Sequence, residues 1–245
     1  MTYGTYWIGV RKELAWLIRP PRQQLNSISV NGFVSLGFFV GSLALGTNNP
    51  HVLPIAATVI LLWTLADASL TNQFMYDKRR TAAQVNSKIK LKQVLIVRNV
   101  TIAILCIPLS ILFGLLMVAI VGKWSELIFG LIMSLALVWG WLGICNVMSV
   151  YWPFEHMETK LVIKRQPGWL KFVILYCLPW VILPCYALLI LLPLKLADLI
   201  ADKPHISKSA ITVVIVLIIS IIIWQIGLSL AEKHAEELRR VVSAD

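Results

Sequence analysis

Four cysteines, Cys106, Cys145, Cys177 and Cys185, and four histidines, His51, His156, His205 and His234, are the residues most able to do chemistry. The cysteines all lie inside apolar runs without a Cys-x-x-Cys pair, so neither a disulfide framework nor a thiolate metal site is expected. They read as small core hydrophobes. The histidines fall in separate loops, and no spacing places two imidazoles on one helix face, so no metal centre and no catalytic residue is expected. Asp67 stands apart as the one acid well inside an apolar run, close to Trp63, Thr71 and Asn72. A charge at that depth costs about 2.5–3.5 kcal/mol on insertion scales, so its carboxylate must face protein, water or a cation. Trp63, Asp67, Thr71 and Asn72 are therefore candidates for a substrate path or gate, with a capped packing role for Asp67 as the competing reading. Asn99-Val100-Thr101 matches a glycosylation sequon, but it adjoins a basic loop expected in the cytoplasm, where that modification does not occur.

The elements that position these residues are apolar. Of 245 residues 58% are hydrophobic and 14% charged, and the mean hydropathy is +0.79, beyond the roughly 45–50% apolar content of a soluble domain. The charges gather in short blocks between apolar runs of span length, which predicts an all-α polytopic membrane protein. A net charge of +10 would suggest nucleic acid in a soluble chain; here basic loops held on one side of a membrane explain it, and no nucleic-acid partner is expected.

Residues 1–25 are expected as an interface helix. Trp7, Val10, Leu14, Leu17 and Ile18 follow helical spacing, Arg11 and Lys12 fall off that face, and Pro20-Pro21 stops the helix. Six spans follow within residues 26–230, at about 28–45, 52–74, 100–121, 127–151, 172–191 and 210–230. A short helix is expected at 81–98, before the third span, and a cytoplasmic tail at 231–245. The first span carries Gly37 and Gly41, a small-residue pair suited to a close helix seam inside the subunit or across a dimer. The run 172–201 is too long for one straight crossing and holds Pro179, Pro184 and Pro193. A span to about 191 followed by a short outer re-entrant element at 194–200 is expected, with a single kinked helix as the alternative. With both termini inside, only Lys123, Lys195, Lys203 and Lys208 of the 22 Lys and Arg fall outside, an inside-positive bias that supports six spans.

Several of these residues carry a family likeness. Asn72-Gln73-Phe74, Tyr76-Asp77, Val97-Arg98-Asn99, Pro108-Leu109, Gly122-Lys123-Trp124 and the stretch from Gly143 through Asn146 and Ser149 to Pro153 resemble permeases of bacterial ATP-binding-cassette exporters. The likeness is clearest over residues 72–153. Lys78-Arg79-Arg80 replace the glycine-rich turn that such permeases carry after Asp77.

The resemblance implies a six-helix subunit in the bacterial inner membrane, paired with a second permease subunit, the same or homologous, and with two separate ATPase subunits. It implies that the N-terminal helix and the loop after the second span touch the ATPases, through Arg11, Lys12, Glu13, Asp77, Arg79, Arg80 and Lys88. The chain has no Gly-x-x-x-x-Gly-Lys-Ser/Thr loop, so no cofactor is expected on this chain and ATP with Mg would act through the partner. Few polar groups lie in the spans, which favours export of a hydrophobic or amphipathic cargo such as a lipid, peptide or drug. A membrane enzyme would need several ionisable groups at one depth, and a secondary transporter would show inverted repeats and intramembrane acids; neither pattern is visible. A secondary transporter or a non-transporting scaffold is the alternative function.

Overall fold

The computed structural model describes residues 3–19, 23–44, 68–71, 73, 89–121, 124–152, 168–200 and 208–234. They form seven helices, and no strand occurs among them: α1 (Tyr3–Ile18), α2 (Gln23–Ala44), α3 (Ala68–Thr71), α4 (Leu91–Val121), α5 (Trp124–Tyr151), α6 (Trp169–Ile200) and α7 (Lys208–Lys233). Among the described residues four segments are long and apolar enough to cross a membrane: Leu91–Leu112, Leu131–Tyr151, Trp169–Tyr186 and Ile211–Lys233. Apart from a few polar residues, most of them toward one end, apolar side chains fall on every side of these segments, a pattern suited to lipid around them. In α2 the apolar window is shorter, Ile28–Gly37. Most of the expected second span lies outside the described residues.

Helix α5 lies at the centre of the packing. Ala136, Leu137, Val138, Trp141, Leu142 and Cys145 are buried on successive faces. The most extensive packing is between α5 and α7, then between α4 and α5; α1 lies against α4, and Ile102, Ala103 and Cys106 of α4 join the core around Trp141. The α5–α7 seam depends on glycine. A Cβ on Gly143 would lie 2.6 Å from Trp224 Cα, and one on Gly227 would meet the Gly143 carbonyl, so the two backbones touch where side chains are missing.

Two expected boundaries differ. The helix expected at 81–98 and the third span are not separate among the described residues: α4 runs unbroken from Leu91, through Pro108, to Val121. No glycine or proline falls between 91 and 107 to end it, and Pro108 forfeits one backbone bond within a helix long enough to continue beyond it. Likewise α6 runs as one helix from Trp169 to Ile200, so 194–200 continues the helix where a distinct re-entrant element was expected. Its prolines stand five and nine residues apart, and each leaves enough intact helix on either side for the backbone to propagate.

Candidate functional site

Arg98 is the charged residue of α4 that the fold encloses, and its surroundings define the site. Its side chain is 7% exposed and its Nε lies 3.7 Å from Oε1 of Glu13, itself 8% exposed, on α1. Helix α1 brings Glu13 inward because Val10 and Leu17, one turn to either side, are buried on the same face. Gly9 lets that face settle on Val97, whose Cγ2 would lie 3.0 Å from an added Cβ. The guanidinium also donates from Nη1 to the backbone carbonyl of Gln73. One residue of α4 therefore holds both the N-terminal helix and the segment that follows α3.

The same segment is tied to α5. Ser149 Oγ accepts from the Gln73 N–H at 3.0 Å and directs its single proton to the carbonyls of Thr71 at 3.0 Å and Cys145 at 2.7 Å. Thr101 Oγ1 donates to Val97 O at 2.8 Å, satisfying its hydroxyl within α4. A second group of contacts closes the same end of the bundle. Lys92 of α4 pairs with Glu232 of α7 at 3.3 Å, and the Tyr151 ring of α5 packs on His234 with centroids 4.1 Å apart. The start of α4 and the ends of α5 and α7 thus share one end, with α1 laid against it. Arg11 and Lys12 stay exposed on α1, as do Trp7 and Ile18, two of the five residues expected on its apolar face.

The positions expected to be functional are distributed unevenly. Glu13, grouped with Arg11 and Lys12 in the sequence, is turned into the bundle as the partner of Arg98. Thr71 is buried and joins the site through its carbonyl. Trp63, Asp67, Asn72, Asp77, Arg79, Arg80 and Lys88 lie outside the described residues. Gly37 and Gly41 are exposed on α2, with nothing among the described residues within 4 Å of an added Cβ. Within the subunit the close seam among the described residues is at Gly143 and Gly227. Among the described residues no group of three or more His, Cys, Asp or Glu is placed to hold a metal.

Arg98, Gln73 and Ser149 were not foreseen as a site. The available signal was a charged residue near the start of an apolar helix, and a buried charge requires a partner. Deeper in the bundle, Tyr186 of α6 lies over Gly140, where an added Cβ would strike the phenol, and donates to Leu137 O at 2.9 Å. Tyr186→Phe removes this bond while leaving the ring, so unfolding stability in detergent should fall by about 0.5–1.5 kcal/mol; no change would show the bond to be idle.

These features define an all-helical chain compatible with repeated membrane crossing, held at one end by a buried ion pair and its hydrogen-bonded neighbours. No family model, curated protein or solved structure matches the chain.

Proposed function

We propose that the chain is the membrane-spanning subunit of an ATP-driven exporter, with six spans and both termini in the cytoplasm of a bacterium. It pairs with a second permease subunit and with ATP-binding-cassette ATPases, and moves a hydrophobic or amphipathic cargo outward. The observation that carries this reading is the double attachment of Arg98. The N-terminal helix, one of the two elements that would meet an ATPase, is anchored to α4 by its guanidinium through Glu13, and the end of the second span, which leads into the other, is anchored through Gln73. A push on either is passed to the helix that lines the core. The residue groups that carried the family likeness, around Gln73, Arg98 and Ser149, are the same groups that meet here.

Orientation follows from charge. Arg11, Lys12, Arg19, Lys90, Lys92 and Lys233 belong to α1 or to the end of the bundle where α4 starts and α7 ends, which the inside-positive bias assigns to the cytoplasm. At about 1.5 Å per residue, the 32 residues of α6 exceed a hydrocarbon core of about 30 Å, so its last turns stand at the outer headgroups. Trp63, Asp67, Thr71 and Asn72 are assigned to the path or its gate.

Purification of the chain in mild detergent with mass spectrometry of co-purifying proteins tests the reading. An ATPase that remains bound at low salt and leaves at high salt is expected, because the docking face is basic. Recovery of the chain without any ATPase at low salt, in a strain with its full complement of transporters, would count against it. Arg79→Glu with Arg80→Glu should lower stimulated ATPase activity several-fold while membrane insertion stays normal, since reversed charge opposes docking. Normal stimulation would remove these arginines from the docking surface.

A further inference from the structure

Three carboxamides at the same end of the bundle have side chains with no hydrogen-bond partner among the described residues: Gln73, Asn99 and Asn146, six nitrogen and oxygen atoms in all. Asn99 and Asn146 are 0% exposed and Gln73 is 5% exposed. Each buried amide left unsatisfied is unfavourable, and in an apolar bundle the chain has few other groups to offer. The placement is not scattered. Asn99 lies 22 residues before the end of α4 at Val121, and Asn146 lies 22 residues after the start of α5 at Trp124, so in this antiparallel pair the two asparagines stand at one level. Gln73 is held beside that level by its backbone bonds to Arg98, the neighbour of Asn99, and to Ser149, one turn from Asn146. Leu95 and Ile102 on α4 and Leu142 on α5, all buried, bound the layer with hydrocarbon.

We infer that Asn99, Asn146 and Gln73 form a binding site for structural water inside the bundle, a hydrated node at the α4–α5 seam. Water is the ligand that fits, because each carboxamide presents both a donor and an acceptor, and a buried water typically makes about three hydrogen bonds to otherwise unsatisfied groups. A cation is disfavoured by the neighbouring Arg98, and an anion by Glu13. The site follows from the fold and does not depend on the transport reading: a chain that binds no ATPase would still hold it.

Two measurements test it on the full chain in lipid bilayers. With asparagine side chains labelled in nitrogen-15, solid-state NMR transfer from water protons should reach the Asn99 and Asn146 amides, assigned by the signals missing from Asn99→Ser and Asn146→Ser. No transfer to either amide would overturn the site, including the case in which the two asparagines simply bond each other. Thermal unfolding supplies the second reading through its sign. If water bridges the carboxamides, Asn99→Leu strands the water and Asn146, and the midpoint falls by several degrees; Asn99→Leu with Asn146→Leu expels the water and recovers most of the loss. A midpoint that rises in Asn99→Leu alone would mean that a dry, unpaired amide had been removed, and would overturn the proposal.

Discussion

Arg98→Met should lower the unfolding free energy by about 3–5 kcal/mol, the range for removing one member of a buried ion pair. The loss exceeds that of a contact because Glu13 remains enclosed without its cation, and because the Gln73 carbonyl loses its guanidinium donor. Adding Glu13→Gln to the same chain removes the stranded charge and should recover a large part of the loss, so the two changes are strongly non-additive. Arg98→Lys should fall between: it keeps the charge, but a single ammonium lacks the planar fork that reaches Glu13 and Gln73 together. Lys92→Met is the contrast. Its pair with Glu232 is open to solvent on both sides, 37% and 45% exposed, and its loss should cost less than about 1 kcal/mol. Unfolding in detergent or nanodiscs measures all four. If Arg98→Met is no worse than Lys92→Met, the buried pair does not hold α1 to the bundle. Within the proposed exporter the same variant should also weaken the response of transport to ATP, since the N-terminal helix loses its attachment to α4.

Gly227→Leu is expected to be the most damaging single change in the spans. Its first side-chain atom would enter the space of the Gly143 carbonyl, which is backbone and has no rotamer to yield. Overpacking a core usually costs about 1–3 kcal/mol, and here relief requires α5 and α7 to part along their most extensive contact, so the effect belongs at or beyond the upper end. Even Gly143→Ala should be clearly destabilising, with its Cβ 2.6 Å from Trp224 Cα. Gly37→Ala and Gly41→Ala should do the opposite and raise the stability of the single subunit by up to about 1 kcal/mol, because alanine is the better helix former and nothing among the described residues stands in its way. Should Gly37→Leu and Gly41→Leu leave the subunit intact but disperse a dimer, the pair would belong to the proposed interface between permeases. Thermal stability and size-exclusion profiles of these variants separate these outcomes. Equal tolerance at Gly227 and Gly37 would show that the α5–α7 backbones are not in contact.

The glycines show how differently sequence and tertiary structure speak. Gly37 and Gly41 have the spacing of a helix seam, while Gly140, Gly143 and Gly227 have no such regular spacing, yet the latter hold the close packing. Spacing within one helix says which glycines share a face; it cannot say whether another helix arrives there. That depends on the crossing of α5 and α7, whose residues are far apart in the chain.

Composition and hydropathy were enough to determine the all-helical, membrane-compatible class, because the need to bury backbone polar groups within each segment is local and leaves a record in every apolar run. Helix ends were legible where a breaker stands, as at Pro20-Pro21, and illegible where none does, as at the unbroken start of α4 or across the prolines of α6. The direction of Glu13 was decided only by the fold. Beside Arg11 and Lys12 it reads as one more surface charge, and it becomes the buried anion because α1 rolls Val10 and Leu17 onto α4 where Arg98 waits. The level match of Asn99 and Asn146 likewise arises from two antiparallel helices joined by a short connection. Charge and hydropathy act residue by residue and can be read in order; the contacts that tie Gln73 to Arg98 and Ser149, and Arg98 to Glu13, span 25 to 85 positions, and only the packed chain selects them.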